Sequence, residues 1–381
     1  DLEFRAGEQF LRLMRASSLA EWKDAMRMRA LVSQNYTYAD RAGNILVLWN
    51  ASLPLLPHQA GGDSAVTVTS LRDVWTQYLP FDALPRALNP RGGYVQNAND
   101  SPHFANVREP VNLVNPYPNV EPPMLRLRSQ RSLQLVDNNR RVTLEDVVKM
   151  KHDYRMLLAE RVKPDLLKSV GGTRPQGPVA DALRLLERWD DTVAPDSRGA
   201  VLFEIWWSRY AQERDEAAQF AVPWSEADPL KTPRGLADPV RAVDSFQWAV
   251  EETVRRHGAV DVAWGDVHRV RRGGVDVPVG GCPGRLGCFR VLGFTRDADG
   301  RYAATTGDGW VLAVEFAEEP RAYSVLAYGQ SAKADSPWHA DQAAMFARGE
   351  MKRVAFSERD VDRQAITRYR PGERSLVTGL R

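Results

Sequence analysis

The apolar positions of this chain fall into three successive patterns, and their order restricts the fold more than any single motif does. Residues 32–102 read as strands and turns. Tyr36 to Ala39 is β-prone, Asp40-Arg41-Ala42-Gly43-Asn44 is a turn, and Ile45 to Trp49 is a second strand, so the two form a hairpin. Val66-Thr67-Val68-Thr69 alternates as a strand would, and Pro80, Pro85 and Pro90 break up an irregular loop. Tyr94-Val95-Gln96 is a further strand that leads into the polar cluster Asn97 to Pro102. Residues 143–260 read as mostly helical. Residues 261–357 return to short strands, with Val311 to Phe316 and Tyr323 to Tyr328 flanking Glu318-Glu319-Pro320-Arg321 as a second hairpin. Strands, then helices, then strands predict α+β layers rather than alternating βαβ units.

Two helices precede the first hairpin. One carries Phe4, Phe10, Leu11 and Met14 on one face; the other is capped by Ser18 with Glu21 three residues later and continues the stripe through Trp22, Ala25, Met26 and Leu31. In the helical region, Thr143 with Asp146 opens a helix that places Val147, Tyr154, Leu157 and Leu158 on one face. Pro178 to Trp189, Ala200 to Ala211 and Ser245 to Arg256 are the other helices, the second apolar enough to be buried on most sides. Asp335 to Glu350 reads as loop and helix, and the residues from Gln364 on as frayed.

Composition bounds the function. With 381 residues and 43% apolar content the chain supports a large core, and disorder is excluded for most of it. Its net charge of +2 argues against a dedicated nucleic-acid binder. Glu204 interrupts the most apolar run, Ala200 to Trp207, which is far shorter than the roughly 18–20 residues of a membrane span. The chain opens at Asp1 without Met or an apolar signal segment, so residue 1 reads as a processing site or a truncation. Cys282 and Cys288 either close a Pro-Gly turn as a disulfide, in an oxidising compartment, or remain two inert thiols.

Few residues point to chemistry. Asn97, Asn99, Asp100 and Ser101 lie within five positions. An Asn amide is a neutral donor at every pH and suits a developing oxyanion, but Asn and Asp also simply make turns. Arg126 and Arg128 alternate onto one face, where a guanidinium could orient an Asn carbonyl or a carboxylate by forked hydrogen bonds; the plain reading is a solvated basic edge strand. His58, His103, His152, His257, His268 and His339 show no metal-binding spacing. His152 reads as a surface residue, whereas His103 could reach the cleft beside the Asn cluster. Asp40, Asp63, Asp100, Asp308 and Asp341 are scattered in turns, and no nucleotide-binding, serine-hydrolase or zinc motif occurs.

Four blocks taken together carry a resemblance. They are Ser33-Gln34-Asn35-Tyr36-Thr37-Tyr38-Ala39-Asp40 with Gly43-Asn44-Ile45, Leu79-Pro80-Phe81-Asp82-Ala83-Leu84-Pro85, Asn89-Pro90, and Gly93-Tyr94-Val95-Gln96-Asn97-Ala98-Asn99-Asp100-Ser101-Pro102. Their order and spacing resemble the β chain of the penicillin acylase family of N-terminal-nucleophile hydrolases. Gly307-Asp308-Gly309-Trp310, Tyr328-Gly329-Gln330-Ser331 and Ser336-Pro337-Trp338-His339-Ala340-Asp341-Gln342 extend the resemblance toward its acyl-homoserine-lactone, aculeacin and cephalosporin acylase branch.

The resemblance implies an α+β fold: part of an αββα sandwich of layered antiparallel sheets with helices, lacking the N-terminal nucleophile segment. It divides the chain into residues 1–142 (part of the catalytic core), 143–260 (helical) and 261–381 (strand-rich). It implies hydrolysis of a linear amide by an N-terminal serine, exposed by autoproteolysis, through an acyl-enzyme. Asn99 matches the oxyanion-hole Asn and Arg128 the Arg that orients it. Residue 1 is Asp, and no block resembling the one that follows the nucleophile occurs. The chain is therefore expected to be inactive alone, its partners being an N-acyl amide substrate and the missing β-chain start and α chain of one precursor. The family's calcium draws ligands from absent segments, so no cofactor is assigned. The family's habit of export implies a periplasmic or secreted location, with roles such as quorum quenching or antibiotic biosynthesis. A non-catalytic ligand-binding module, or an inactive homologue, is the alternative.

Overall fold

The computed structural model describes residues 3–31, 33–55, 67–111, 122–137, 141–368 and 370. The N-terminal part holds α1 (Ala6–Arg15), α2 (Leu19–Met26), β1 (Ser33–Ala39), β2 (Ile45–Ala51) and β3 (Arg86–Leu88). Ser18 Oγ accepts the Glu21 N–H and caps α2. The Glu21 carboxylate turns to Ser17, accepting from its N and Oγ at 2.8 and 2.9 Å, so the box closes one residue earlier than the spacing predicts. The hairpin forms as expected, in register from Ser33 opposite Ala51 to Ala39 opposite Ile45. Asp40 closes its turn by accepting from Asn44 N at 3.0 Å. Tyr36 and Tyr38 pack on Trp22, so the hairpin shares one apolar cluster with α2.

Three local expectations fail here. The proline-rich stretch contains a strand, because Pro85 and Pro90 flank β3 rather than interrupt its pairing with β2. Thr67 to Thr69 is not a strand: Thr69 N and Ser70 N donate to Asp73 Oδ2 and draw the segment into a capped 3₁₀ turn. Val66, His58 and Asp63 lie outside the described residues. On α1 the apolar face is turned outward, with Phe4 86% and Met14 78% exposed. The helix buries Gln9 instead, whose amide is satisfied at both ends by Met26 Sδ (3.3 Å) and Ala30 N (2.8 Å).

The middle part comprises α3 (Leu127–Val136), α4 (Leu144–Lys151), α5 (Leu157–Gly172), α6 (Gly177–Arg188), α7 (Ala200–Tyr210), the short strands β4 (Phe220–Val222) and β5 (Arg234–Leu236), α8 (Pro239–His257) and α9 (Trp264–Val267). Thr143 and Asp146 make the predicted capping box. The helix ends at Lys151, however, so Leu157 and Leu158 belong to α5 and do not share a face with Val147. An extended link separates the two helices, in which Val193 N donates to Tyr154 O and Met156 N to Asp191 O, both at 2.8 Å. Arg126 and Arg128 lie at a helix start, not on an edge strand. In α8, Asp238 Oδ1 accepts the Arg241 N–H and caps the helix, with Pro239 at the first helical position, so the helix begins before Ser245.

Helices α5 to α8 enclose the largest apolar cluster. Trp206 is fully buried in it, stacked on Tyr210 at 5.7 Å and donating Nε1–H to Ala242 O at 3.1 Å. Trp206 and Trp207 are therefore core residues and offer no surface to a ligand. Glu204, the charge within α7, places Oε2 3.2 Å from His268 Nε2.

The last part contains β6 (His268–Arg272), β7 (Val275–Pro278), β8 (Leu292–Arg296), β9 (Tyr302–Gly307), β10 (Trp310–Glu315), β11 (Arg321–Leu326), α10 (Ala343–Ala347), β12 (Lys352–Arg353) and α11 (Glu358–Gln364). Strand order is β7-β6-β9-β8 in one sheet, with β6 and β9 parallel, and β10-β11-β12 in an antiparallel second. The predicted second hairpin is β10–β11, from Trp310 opposite Leu326 to Glu315 opposite Arg321. Cys282 and Cys288 are disulfide-bonded, their Cα atoms 5.5 Å apart. Of the tail read as frayed, residues 369 and 371–381 lie outside the described residues. Among the described residues no helix is long and apolar enough to cross a membrane.

Candidate active site

Tyr94 to Gln96 is extended but joins no sheet; Gln96 N donates to Ala105 O at 2.9 Å and fixes where the polar loop begins. The loop then turns on Asn99, whose φ of +72° is left-handed, a region Asn enters more readily than most residues. Asn97 sets that turn, its Oδ1 accepting Asn99 N at 2.9 Å and its Nδ2 donating to Asp100 O at 3.0 Å. Asn35 of β1 also donates to Asp100 O, at 3.4 Å, which ties the loop to the hairpin.

The Asp100 carboxylate is buried and points away from the loop. It accepts from Arg126 N (2.9 Å) and Arg126 Nη1 (2.7 Å), capping the entry to α3. At the second position of that helix, Arg128 Nη2 donates to Asn99 Oδ1 at 2.8 Å and to Ala98 O at 2.5 Å. A guanidinium has only donors, so the amide atom it meets is the carbonyl oxygen. The Asn99 NH₂ group is thereby aimed the other way and has no protein partner among the described residues. Asn99 lines a cavity of about 570 Å³ together with polar groups of β1 (Ser33, Asn35, Thr37), Trp49, and the rest of the loop with Ser101. Burial pulls the Arg128 guanidinium below its ordinary range, and the Asp100 and Asp308 carboxylates oppose that shift. It stays charged at any physiological pH.

Asp308, whose charge also acts on Arg128, accepts from Lys151 Nζ at 2.7 Å. His103 does not line the cavity; its Nδ1 meets Ser101 Oγ at 2.9 Å, and Ser101 does line it. His152 is half-buried against Gly349 rather than on the surface. Among the described residues no three His, Cys, Asp or Glu side chains converge on a metal position. Asn35, Asp100 and Arg126 were not singled out as a positioning set from sequence. Asp100 follows Asn99 directly, but its contact with Arg126 spans 26 residues and leaves no local signal.

Two predictions arise here. Asp100→Ala removes the acceptor for two Arg126 donors and is expected to cost about 1–2 kcal/mol in urea unfolding, with Asp100→Asn intermediate. Burial, the largest cause for each, lowers the pKa of His103, His152 and His257. Below about pH 6.5 the unfolded chain then binds more protons than the folded one. This contribution to stability is complete above that pH and is lost as the pH falls toward the lowered folded values. Each imidazole adds a slope of at most about 1.4 kcal/mol per pH unit. Urea midpoints at pH 7 and pH 5 check this, and His152→Gln flattens the dependence.

The sequence profile of the penicillin amidase family matches residues 3–363. An acyl-homoserine lactone acylase, PvdQ, of Pseudomonas fluorescens is 27% identical over 383 residues, covering 93% of this chain and 48% of that protein. An aculeacin-A acylase of Actinoplanes utahensis is 27% identical over 339 residues, covering 81% of this chain and 42% of that protein. Among solved structures, a thermostable penicillin G acylase from Alcaligenes faecalis superimposes with a TM-score of 0.58 at 19% identity. It covers 98% of this chain, which covers 73% of it, and the α+β fold is shared. The chain spans about half the length of the curated relatives it matches. From a family match along nearly all of its length and the shared fold, the chain belongs to the penicillin amidase family.

Proposed function

We propose that this chain supplies the oxyanion-stabilising part of an N-acyl amide hydrolase whose nucleophile comes from polypeptide outside it. The observation that carries the reading is the Arg128–Asn99 contact, which leaves the amide NH₂ facing the cavity. A serine at a chain N-terminus, exposed by autoproteolysis, attacks the substrate carbonyl. Its own α-amine, titrating near ~8, takes the hydroxyl proton. As the C–O bond forms, the carbonyl oxygen gains charge and Asn99 Nδ2 donates to it. Collapse expels the amine, which takes up the proton, and leaves an ester on the serine. Water then attacks that ester and releases the carboxylic acid, with Asn99 again facing the charged oxygen.

The sequence resemblance to the acyl-homoserine-lactone acylase branch favours a long aliphatic acyl group; lipopeptides and β-lactam side chains are the other candidates. The Cys282–Cys288 bond supports an oxidising, exported location. With an N-acyl p-nitroanilide, this chain alone is expected to give no turnover, and supplying a serine-led segment together with the rest of the precursor to restore it. Turnover by the chain alone would contradict the reading.

A further inference from the structure

Among the described residues, strand β10 lies at one edge of its sheet and pairs only with β11. The hydrogen-bond phase along the pair follows from its far side. Leu326 N donates to Gln342 Oε1, and Ala322 O accepts from Val354 N, so the main-chain groups of these residues point away from β10. Their opposite numbers, Trp310 and Val314, with Leu312 between them, therefore direct N–H and C=O off the free edge. None of these groups has a partner among the described residues.

The other edge of the sheet is β12, Lys352-Arg353, and charged side chains guard such edges against further pairing. Residues Trp310 to Val314 carry no charge and no proline. Alternate side chains on this strand are exposed, Trp310 at 63% and Leu312 at 43%, while Val311 and Ala313 are buried. Apolar space adjoins the strand in two places. A groove of about 630 Å³ runs between it and Val147 and Val148 of α4. A second, of about 1170 Å³, includes Leu312, Val314 and Phe316. An acyl chain would fill a groove but leave the edge N–H and C=O groups dry and unpaired; an extended peptide satisfies both.

We propose that the free edge of β10 is a strand-addition site, where an extended segment of the same protein from outside this chain pairs with Trp310, Leu312 and Val314. The inference rests on the reading that such polypeptide completes the protein. That source is favoured because the relatives are about twice as long as this chain, and the structural neighbour extends beyond the 73% that aligns.

Amide hydrogen exchange tests it on this chain and on the product of the complete open reading frame. Leu312 and Val314 are expected to exchange freely in the chain alone and about 100-fold more slowly in the complete protein. Leu312→Pro removes an outward N–H and spares the β11 ladder. It should leave the melting temperature of the chain alone within a few degrees, yet abolish assembly of the complete protein. Equal exchange in both samples would overturn the proposal. So would protection that rises with concentration in the chain alone, which means a second copy docks there, or unfolding of the chain by Leu312→Pro. Turnover by a complete protein with Leu312 unprotected defeats only the docking inference; protection without turnover defeats only the proposed chemistry.

Discussion

Asn99→Ala, in the complete protein that the proposed mechanism requires, is expected to lower kcat by about 10²–10³-fold, with KM changed much less. The amide is the one side-chain donor at the cavity that Arg128 orients, and loss of a single oxyanion donor typically costs ~2.7–4 kcal/mol of barrier stabilisation. The asymmetry between kcat and KM is the signature, because a neutral ground-state carbonyl gains little from this hydrogen bond. Asn99→Asp is expected to do at least as much damage, since it places negative charge where negative charge develops. Arg128→Lys is expected to lose part of the effect: Nη2 of a rigid planar guanidinium makes both bonds, to Asn99 Oδ1 and Ala98 O, and a freely rotating ammonium on a flexible stem holds neither in a fixed direction. Steady-state kinetics on a chromogenic N-acyl amide decide the matter. A kcat within threefold of the parent for Asn99→Ala would remove Asn99 from the mechanism.

The largest stability loss expected from a single substitution is at Trp206. Trp206→Ala removes a fully buried indole from among Phe203, Trp207 and Tyr210, and leaves Ala242 O without its donor. Phe and Trp to Ala changes in cores cost about 3–5 kcal/mol, and the cost here belongs near the top because four helices close round the site. Urea unfolding of the chain alone measures it, so the result does not depend on the proposed chemistry. Trp206→Phe keeps most of the packing and is expected to lose much less. A loss below 1 kcal/mol for the alanine variant would mean that the cluster repacks.

Both hairpins, the helices α6 and α7 and most of α8 were legible in sequence because their signals are local, whereas α5 was merged with the helix before it. Alternation, the turn Asp40 to Asn44, and the box of Thr143 with Asp146 act within a few residues of the structure they specify. Where such signals met tertiary contacts they were overridden. Leu125 to Arg131 alternates over too few residues to separate a strand from the first turn of a helix; the buried Asp100 carboxylate, capping from another loop, makes it a helix. The outward face of α1 misled for a related reason. Periodicity identifies an apolar face but not what covers it, and within this chain α1 packs through Gln9 instead.

The site divides in the same way. Asn99 stood out through its block of neighbours, and the type of chemistry an Asn amide can do follows from its two donors alone. What the sequence by itself determined is this inventory: the hairpins, the apolar helices, the neutral donor in a polar loop, and the family to which they belong. Only the tertiary structure decided the direction of that donor. Arg128 stands 29 residues from Asn99, and the Asp100–Arg126 clamp holds the two segments together. A hydrogen bond is directional, whereas sequence order carries no direction in space. The aim of the amide therefore exists only once the loop and the helix have been packed side by side.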